Sequence, residues 1–332
     1  MLKFMAKTIL AVGLAICLFV PASSAIARGK KITIRVAHVN PPGEPAYAAW
    51  ELFKKMMEKR LGPRIDIKIY PQGQLGNERD LIEQTKLGSI QMTSTAAAPL
   101  ALHNPHLGIY NLPYLFKSEE ALWSVTDGPI GLELAEETAR KGILILDHWS
   151  TGVRHIFSKK PVRTVADMNG VKIRVMESPI FIAAFRGVGA QPTPLPYGEV
   201  YQALATGVVD AAENDSSGYR NMKFFEPAPI YSLTAHNIIP KPVQINPLFY
   251  KKLPDDVRRI LLATLRECTI YQRTLFADTF TKDIEWLKKQ GVTVVRDVDK
   301  EAFQKAMVPV WAEFNKTIGA DLIKAVKKEL GI

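Results

Sequence analysis

The order of hydrophobic and polar residues predicts alternating strands and helices in the first half of the chain. Residues 32–37 and 65–70 alternate with a period of two, which is typical of strands. Residues 46–60 and 78–87 carry apolar side chains at helical spacing, and Gly88 ends the second of these helices. Further on, the pattern predicts a strand at 90–95, a helical segment at 118–141 interrupted at Gly128 and Pro129, and a buried strand at 143–147. This alternation indicates parallel strands joined by crossover helices, the α/β class.

A second α/β series follows, and a long helix comes after it. Residues 171–175 and 208–212 are predicted strands, and 180–186 and 197–205 are the helices between them. From Asp255 an apolar stripe keeps a helical period to Gly291. Such a helix has about 35 residues and spans about 52 Å, long enough to brace two units. The last predicted elements are a strand at 292–295 and one or two closing helices at 300–330.

The N-terminus has the pattern of a secretory signal peptide. Lys3 and Lys7 precede an apolar run at residues 9–20, and small residues follow at 22–25 and 27. A membrane anchor is the competing interpretation, but about 12 apolar residues fall short of the about 20 that a bilayer requires. We therefore predict cleavage near residue 27 and a bacterial periplasmic location. Cys268 is then the only cysteine left, so no intrachain disulfide is expected.

Composition and charge narrow the class of protein. The 332 residues, of which 47% are hydrophobic, exclude a disordered chain and are enough for two domains. The formal charge of +10 makes nucleic acid, an acidic surface and an anionic small molecule the candidate partners. The basic residues are dispersed without an aromatic-interleaved stripe, which argues against nucleic acid. No later apolar stretch has membrane-spanning length, so the mature protein is not expected to be embedded in a membrane.

The common catalytic and cofactor motifs are missing from the sequence. It contains no GxSxG elbow, no GxxxxGK[ST] phosphate loop and no HExxH pair. His103 and His106 flank a proline and have no suitably spaced third ligand, so a surface turn is the better interpretation than a metal site. We therefore expect no metal, no cofactor and no enzymatic activity.

The middle of the chain carries a candidate anion site. Arg174 lies within the apolar strand 171–175, and Arg154 follows a buried strand. Burying an arginine is costly unless its charge meets an anion. That anion is either a carboxylate of the protein itself, Asp210 or Glu213, or a ligand, and the pattern alone leaves both open.

Several segments together resemble a known family. In this order and spacing, they resemble the periplasmic solute-binding proteins of tripartite ATP-independent periplasmic (TRAP) transporters, the DctP-type family. The matching segments are YPQGQLG at 70–76 followed by Glu78 and Arg79, NLPYL at 111–115, GVRH at 152–155, VADMNGVKIRV at 165–175, GAQPTP at 189–194, EVYQAL at 199–204 and VDAAEN at 209–214.

The resemblance implies a two-lobed periplasmic binding protein, class II-like or Venus-flytrap, with the long helix bracing both lobes. The first lobe would comprise residues 28–151 and 240–279, and the second 152–239 and 280–332. Arg174 would form a two-pronged salt bridge with the ligand carboxylate, Asn214 would hydrogen-bond the same group, and Arg154 would assist. Tyr197 would complete this side of the cleft.

Further candidate ligand contacts come from loops and strand ends that would face the cleft. From the first lobe these are His38, Asn40, Gln74, Glu78, Thr95 and Trp149, and from the second lobe Tyr219 and His236. A structural role competes for several of them. Gln74 and Glu78 can equally cap the following helix, and Trp149 can belong to the core.

The resemblance also implies a small carboxylate ligand and a membrane permease driven by an ion gradient, with the binding protein acting as a monomer. Residues 177–179 and 213–219 resemble members that bind sugar acids, and no second cation is expected in the first lobe. We therefore favour a hexuronate or aldonate. A C4-dicarboxylate or a different monocarboxylate is the runner-up. Two different classes of function stay open beside these: a secreted enzyme with Glu78 and His38 as proton-transfer pair, and a purely structural secreted protein.

Overall fold

The computed structural model describes residues 31–332. The predicted signal peptide, residues 1–27, lies outside the described part of the chain. None of the helices within residues 31–332 combines the length and apolar character needed to cross a bilayer.

Strands and helices alternate through most of the described chain. The strands are β1 (Ile32–Ala37), β2 (Ile65–Tyr70), β3 (Met92–Ser94), β4 (Leu144–Ser158), β5 (Lys172–Val175), β6 (Gln191–Pro194), β7 (Ala211–Asn214), β8 (Ile230–Ile245) and β9 (Thr293–Val295). The helices are α1 (Pro45–Leu61), α2 (Glu78–Leu87), α3 (Ala97–Leu100), α4 (Glu119–Thr126), α5 (Pro129–Arg140), α6 (Pro179–Gly187), α7 (Val200–Ala205), α8 (Ser216–Asn221), α9 (Pro247–Lys252), α10 (Asp255–Ala277), α11 (Thr279–Lys289), α12 (Lys300–Met307), α13 (Val310–Ile318) and α14 (Ala320–Glu329). Short 3₁₀ turns occupy residues 62–64, 105–111, 165–168 and 197–199.

All nine of these strands belong to one mixed sheet. Its two long antiparallel strands, β4 and β8, extend through both lobes. The order is β2-β1-β3-β8-β4-β7-β5-β6, with β9 paired to β8. In the first lobe, the parallel strands β1 to β3 lie beside the end of β8 and the start of β4. In the second lobe, β5 to β7 lie beside the end of β4, and β9 lies beside the start of β8. This confirms the predicted two-lobed α/β fold.

The crossing between the lobes coincides with an irregularity in the β4 and β8 pair. The register shifts between Ser150 and Val153, close to the predicted lobe boundary at residue 151. Gly152 lies in this shift with φ +69°, and a Cβ there would come within 2.6 Å of the Phe276 ring. Both the backbone angle and the lack of space therefore require glycine at the crossing.

Three large hydrophobic clusters and one small one hold residues 31–332 together. One lies in the first lobe around Trp50 and Phe53, and another in the second lobe around Phe157 and Phe224. The largest combines residues from 96–145 with residues from 173–190 and with the C-terminal helices. In particular, α13 and α14 pack on the turn 105–111. The C-terminal helices therefore contact both lobes, and the predicted assignment of residues 280–332 to the second lobe remains a prediction.

The predicted helix from 255 to 291 is divided in the structure. α10 packs on α1 and β4, α11 packs on α8, and Asp278 separates the two helices. The Thr279 hydroxyl donates to the Leu275 carbonyl at 2.6 Å, a contact that bends helices. The brace between the lobes is thus two consecutive helices. The closing segment is three helices instead of one or two, because Pro309 and Gly319 interrupt it.

Candidate functional site

A cavity lies between the lobes, where the strand ends of both meet the crossing strands. The space between its lining atoms, together with the solvent-open part at its mouth, is about 500 Å³. Its lining comes from the first lobe, the crossing strands and the second lobe, and it is strongly polar. The lining residues are Val39, Asn40, Glu44, Ala46, Glu78, Ala96, Thr151, Arg154, Arg174, Met176, Tyr197, Asn214, Asp215, Lys241 and Phe276.

Arg174 is a buried cation without a carboxylate partner in the described part of the chain. It lies on β5, its side chain reaches the cavity, and 4% of the residue is exposed. Nε and Nη2 donate to the Leu195 carbonyl at 2.8 and 2.6 Å, which holds the guanidinium in place. Among residues 31–332 no carboxylate forms an ion pair with it. Burial lowers the pKa of Arg174 to about 10, so the group stays charged at neutral pH.

Arg154, in contrast, is neutralised by the protein. Its Nε and Nη2 donate to the two carboxylate oxygens of Glu213 at 2.5 and 3.0 Å, and Nη2 also donates to the Glu213 carbonyl at 3.0 Å. Burial alone would raise the pKa of Glu213, but the charge of Arg154 and a hydrogen bond from His236 lower it to about 2. A carboxylate of the protein thus pairs with one of the two arginines and leaves Arg174 unpaired.

A hydrogen-bond chain links the lobes beside Arg174. Asn214 donates from Nδ2 to the Tyr197 hydroxyl at 3.4 Å, and that hydroxyl donates to Glu44 Oε1 at 2.9 Å. Glu44 also accepts from Asn40 Nδ2, while Asn40 Oδ1 is buried without a partner among residues 31–332. Glu44 precedes α1 in the first lobe, whereas Tyr197 follows β6 in the second. The chain therefore joins the two walls of the cavity.

The first lobe contributes a cation to the cavity after all. Lys241 lies on β8 with 6% exposure, and its Nζ is 3.6 Å from Glu78 Oε1. The same oxygen accepts from the Ala96 backbone N–H at 2.8 Å. Glu78 begins α2, whose start is fixed by a capping box between Asn77 and Asp80. The expectation that this lobe offers no second cation is therefore wrong, although a carboxylate partly compensates Lys241.

Two further carboxyl groups in the lining have perturbed pKa values. Burial, reinforced by the charge of Asp215, raises the pKa of Glu44 to about 7. Burial raises the pKa of Asp215 to about 6, although its side chain accepts from the Ser217 and Gly218 N–H groups at 2.8 and 3.0 Å. Both groups therefore change charge close to neutral pH. Neither was singled out from the sequence.

Six of the twelve predicted contact residues line this cavity: Arg174, Asn214, Arg154, Tyr197, Glu78 and Asn40. Three others lie away from the cavity lining. Trp149 is fully buried in the first-lobe core and donates from Nε1 to Thr269 Oγ1 at 3.1 Å. Tyr219 stacks on Tyr231 and donates to the Ala228 carbonyl at 2.7 Å. Gln74 lies exposed in the turn after β2.

The remaining three lie behind the lining. Thr95 Oγ1 accepts from Gln244 Nε2 at 2.7 Å. His236 supports the Arg154 pair, with Nε2 3.4 Å from Glu213 Oε2. His38 is buried beside Tyr47, and neither ring nitrogen has a partner among residues 31–332. Burial and the charge of Lys241 lower the pKa of His38 to about 3, so it is neutral.

The chain is similar to a family of binding proteins along most of its length. Residues 36–317 match the family described as bacterial extracellular solute-binding protein, family 7. The chain is 33% identical over 298 residues to the 2,3-diketo-L-gulonate-binding periplasmic protein YiaO of Escherichia coli strain K12. That alignment covers 89% of this chain and 91% of the relative.

Solved structures agree with the sequence similarity. A TRAP periplasmic solute-binding protein from Sulfitobacter sp. NAS-14.1 with bound beta-D-galacturonate is 30% identical, with a TM-score of 0.86 and coverage of 91% of this chain and 100% of that one. A TRAP periplasmic solute-binding protein from Sulfurospirillum deleyianum with bound succinate is 33% identical, with a TM-score of 0.84 and coverage of 89% and 98%. These findings confirm the resemblance predicted from the sequence motifs.

Proposed function

Because the chain belongs to the bacterial extracellular solute-binding proteins of family 7, we propose that it captures an organic acid between its lobes and delivers it to a TRAP membrane permease. The favoured ligand is a sugar acid, a hexuronate or an aldonate. The proposal places the protein in the periplasm after cleavage near residue 27, acting as a monomer without cofactor.

The observation that carries this proposal is the state of Arg174. A buried guanidinium is stabilised by an anion, and a planar carboxylate matches two of its donors. Arg174 is fixed by a backbone carbonyl and has Nη1 left without a partner among residues 31–332. Asn214 lines the same cavity and can donate to the second oxygen of a bound carboxylate. The neighbouring Arg154 is already occupied by Glu213.

The rest of the cavity is suited to hydroxyl groups. Asn40 Oδ1 is a buried acceptor without a partner among residues 31–332, and Glu78 and Glu44 add carboxylate acceptors. Lys241 supplies donors on the same walls, whereas the single proton of the Tyr197 hydroxyl is donated to Glu44. A ligand with one carboxylate and several hydroxyls would satisfy these groups, whereas an apolar acid would leave them buried and unpaired.

A C4-dicarboxylate is the second candidate, and Lys241 is the observation that favours it. Lys241 would contact the second carboxylate of such a ligand if its ion pair with Glu78 were broken. We rank this candidate lower because the Lys241 ammonium already has a carboxylate partner, Glu78, at 3.6 Å. Both ligand types occur in similar proteins, galacturonate in the Sulfitobacter structure and succinate in the Sulfurospirillum structure.

We propose binding without catalysis for this chain. The only acid-base pair suggested by the sequence is Glu78 with His38. No hydrogen bond joins their side chains within the described residues, and Glu78 instead contacts Ala96 and Lys241. Recovery of the bound acid chemically unchanged after prolonged incubation is the expected result, and a converted product would contradict it.

Isothermal titration against galacturonate, glucuronate, galactonate, erythronate, succinate and malate tests the ligand class. We expect the sugar acids to bind more tightly than either dicarboxylate. Tight binding of succinate or malate alone would replace the favoured ligand by the second candidate. If no acid binds and none raises the melting temperature, a structural role becomes the better explanation, because a ligand that binds only the folded state must stabilise it.

A further inference from the structure

The charges in the cavity do not all cancel in pairs. Arg154 is neutralised by Glu213, and Lys241 is compensated by Glu78. What remains is one cation, Arg174, and two carboxyl groups, Glu44 and Asp215, that also line the cavity. One ligand carboxylate therefore finds a free positive partner, and a second one does not.

Glu44 and Asp215 are held in place by neutral groups. Glu44 accepts from Asn40 and from the Tyr197 hydroxyl, and Asp215 accepts from two backbone N–H groups of α8. Both residues are at least nine-tenths buried. The charged groups that act on them are Arg154 from β4, Lys241 from β8 and Asp283 from α11. Arg154 and Lys241 are engaged with Glu213 and Glu78, and Asp283 is itself acidic.

We propose that Glu44, with Asp215 beside it, makes the cavity selective for acids carrying a single negative charge and excludes acids with a second carboxylate. This inference rests on the proposed function and specifies its ligand further. With the first carboxylate on Arg174, a hydroxyl elsewhere on the ligand can donate to Glu44. A carboxylate in the same place would meet like charge in a desolvated site, where repulsion is only weakly screened.

The repulsion depends on pH in a defined direction. The pKa of Glu44 is raised to about 7 and that of Asp215 to about 6, by burial first and by neighbouring acidic groups second. Both groups are therefore ionised at pH 8 and largely protonated at pH 5.5. Discrimination against a doubly charged acid is expected to be strongest at pH 8 and to weaken as the pH falls.

Matched ligand pairs measure this selectivity directly. Galactonate and galactarate share one carbon chain and differ only in a terminal hydroxymethyl or carboxylate, and erythronate and meso-tartrate form the same pair with four carbons. Titration calorimetry at pH 8 is expected to give at least about tenfold tighter binding of the singly charged member. In Glu44→Gln, which keeps the size of the side chain and one oxygen acceptor but removes the charge, the ratio is expected to fall at least about threefold.

One further variant separates charge repulsion from an effect on lobe closure. Glu177→Gln removes the ion pair with Arg79 at 3.2 Å, which joins the lobes but lies outside the cavity lining. It is expected to change the affinities for the two members of a pair by the same factor, so that the ratio stays as in the wild type.

The outcomes distinguish this inference from the proposed function. An unchanged ratio in Glu44→Gln, or a wild-type preference for the doubly charged member, would overturn the role of Glu44. If the sugar acids bind but the affinity ratio of a ligand pair does not change in Glu44→Gln, the proposed function stands without this inference. If only the four-carbon pair binds, a four-carbon aldonate replaces the hexuronate as the favoured ligand, and that pair still tests Glu44.

Discussion

Two arginines on strands of the same sheet, with β7 between them, have different roles because their nearest acceptors differ. Arg154 has a carboxylate of the protein against it, so its charge is already compensated. Arg174 has only a backbone carbonyl, a neutral group that orients the guanidinium without cancelling its charge. At the scale of the residue, the partner decides whether an arginine supports the fold or remains available to a ligand.

Arg174→Gln is therefore expected to reduce binding and to leave folding largely intact. The ligand carboxylate would lose its charged partner in a buried site, which costs about 2 kcal/mol or roughly thirtyfold in affinity. Calorimetry gives the affinity, and urea unfolding gives the stability of the ligand-free protein. Arg163→Gln is the matched control, since Arg163 forms an exposed ion pair with Asp297 away from the cavity. Unchanged affinity in Arg174→Gln would show that the carboxylate binds elsewhere.

Glu213→Gln is expected to affect folding instead. It leaves Arg154 charged and buried, which costs roughly 3 kcal/mol of unfolding free energy. Because the pKa of Glu213 falls from 4.5 to about 2 on folding, the wild type should lose this stabilisation as the pH drops from about 4.5 towards 2. The double variant Arg154→Met with Glu213→Leu removes both charges and should be more stable than Glu213→Gln alone. Equal stability of wild type and Glu213→Gln in urea at pH 7 would contradict the expectation.

The site could be predicted from the sequence only in part, for reasons that lie in single residues. Arg174 was noticeable because a charge interrupts an apolar strand. Lys241 was not, since Pro240 and Pro242 flank it and prolines argue against a strand. Glu44 stands before Pro45 in a loop, where a carboxyl group ordinarily faces water. The fold buries both, and no local pattern signals it.

At the scale of the elements, the crossing of β4 depends on a side chain from a helix. Ser150 lies opposite Pro240, which has no N–H to donate across the strands. Gln272 of α10 supplies the missing partner: its Nε2 donates to the Ser150 carbonyl at 2.9 Å, and its Oε1 accepts from the Ser150 N–H at 2.8 Å. The amide thus attaches the brace to the strand at the point where the strand passes between the lobes.

Gln272→Leu is expected to destabilise the protein by about 3 kcal/mol, because two buried backbone groups would lose their partners. The midpoint of urea unfolding measures the loss. Gln304→Leu on the exposed face of α12 makes the same chemical change without these bonds and should shift stability by less than about 0.5 kcal/mol. Similar losses in both variants would indicate that the amide contributes nothing specific.

Elements whose ends carry local signals were predicted more accurately than the long crossing strands, and the short elements α3, β6, α8 and α9 were not predicted. The helix 78–87 matches α2 because Asn77, Asp80 and Gly88 specify both of its ends locally. β8 was missed, and only the first residues of β4 were predicted, because in the crossing both strands carry buried polar residues in place of an alternating pattern. These polar residues lie where the strands pass between the lobes. A prediction from hydrophobic periodicity cannot identify such strands, because their buried positions are not apolar.

At the scale of the whole molecule, the two lobes share more than the crossing strands. The largest hydrophobic cluster includes Leu107 and Ile109 from before the crossing, Phe181 and Phe185 from the second lobe, and Ile318 from the C-terminal helices. Separating the lobes completely would expose this common core to water. Each lobe has a cluster of its own as well, but neither lobe can be separated from the other without opening the shared cluster.

We expect the protein to unfold as one unit for this reason. In scanning calorimetry the van't Hoff and calorimetric enthalpies should agree, and a single peak should be present with and without ligand. A ligand at about 100 times its dissociation constant adds about 2.7 kcal/mol to the folded state and should move the whole peak upwards. The Arg174→Gln variant should unfold in the same single peak, but an equal ligand concentration should move that peak much less. Two peaks, of which the ligand shifts only one, would mean that the shared core does not couple the lobes.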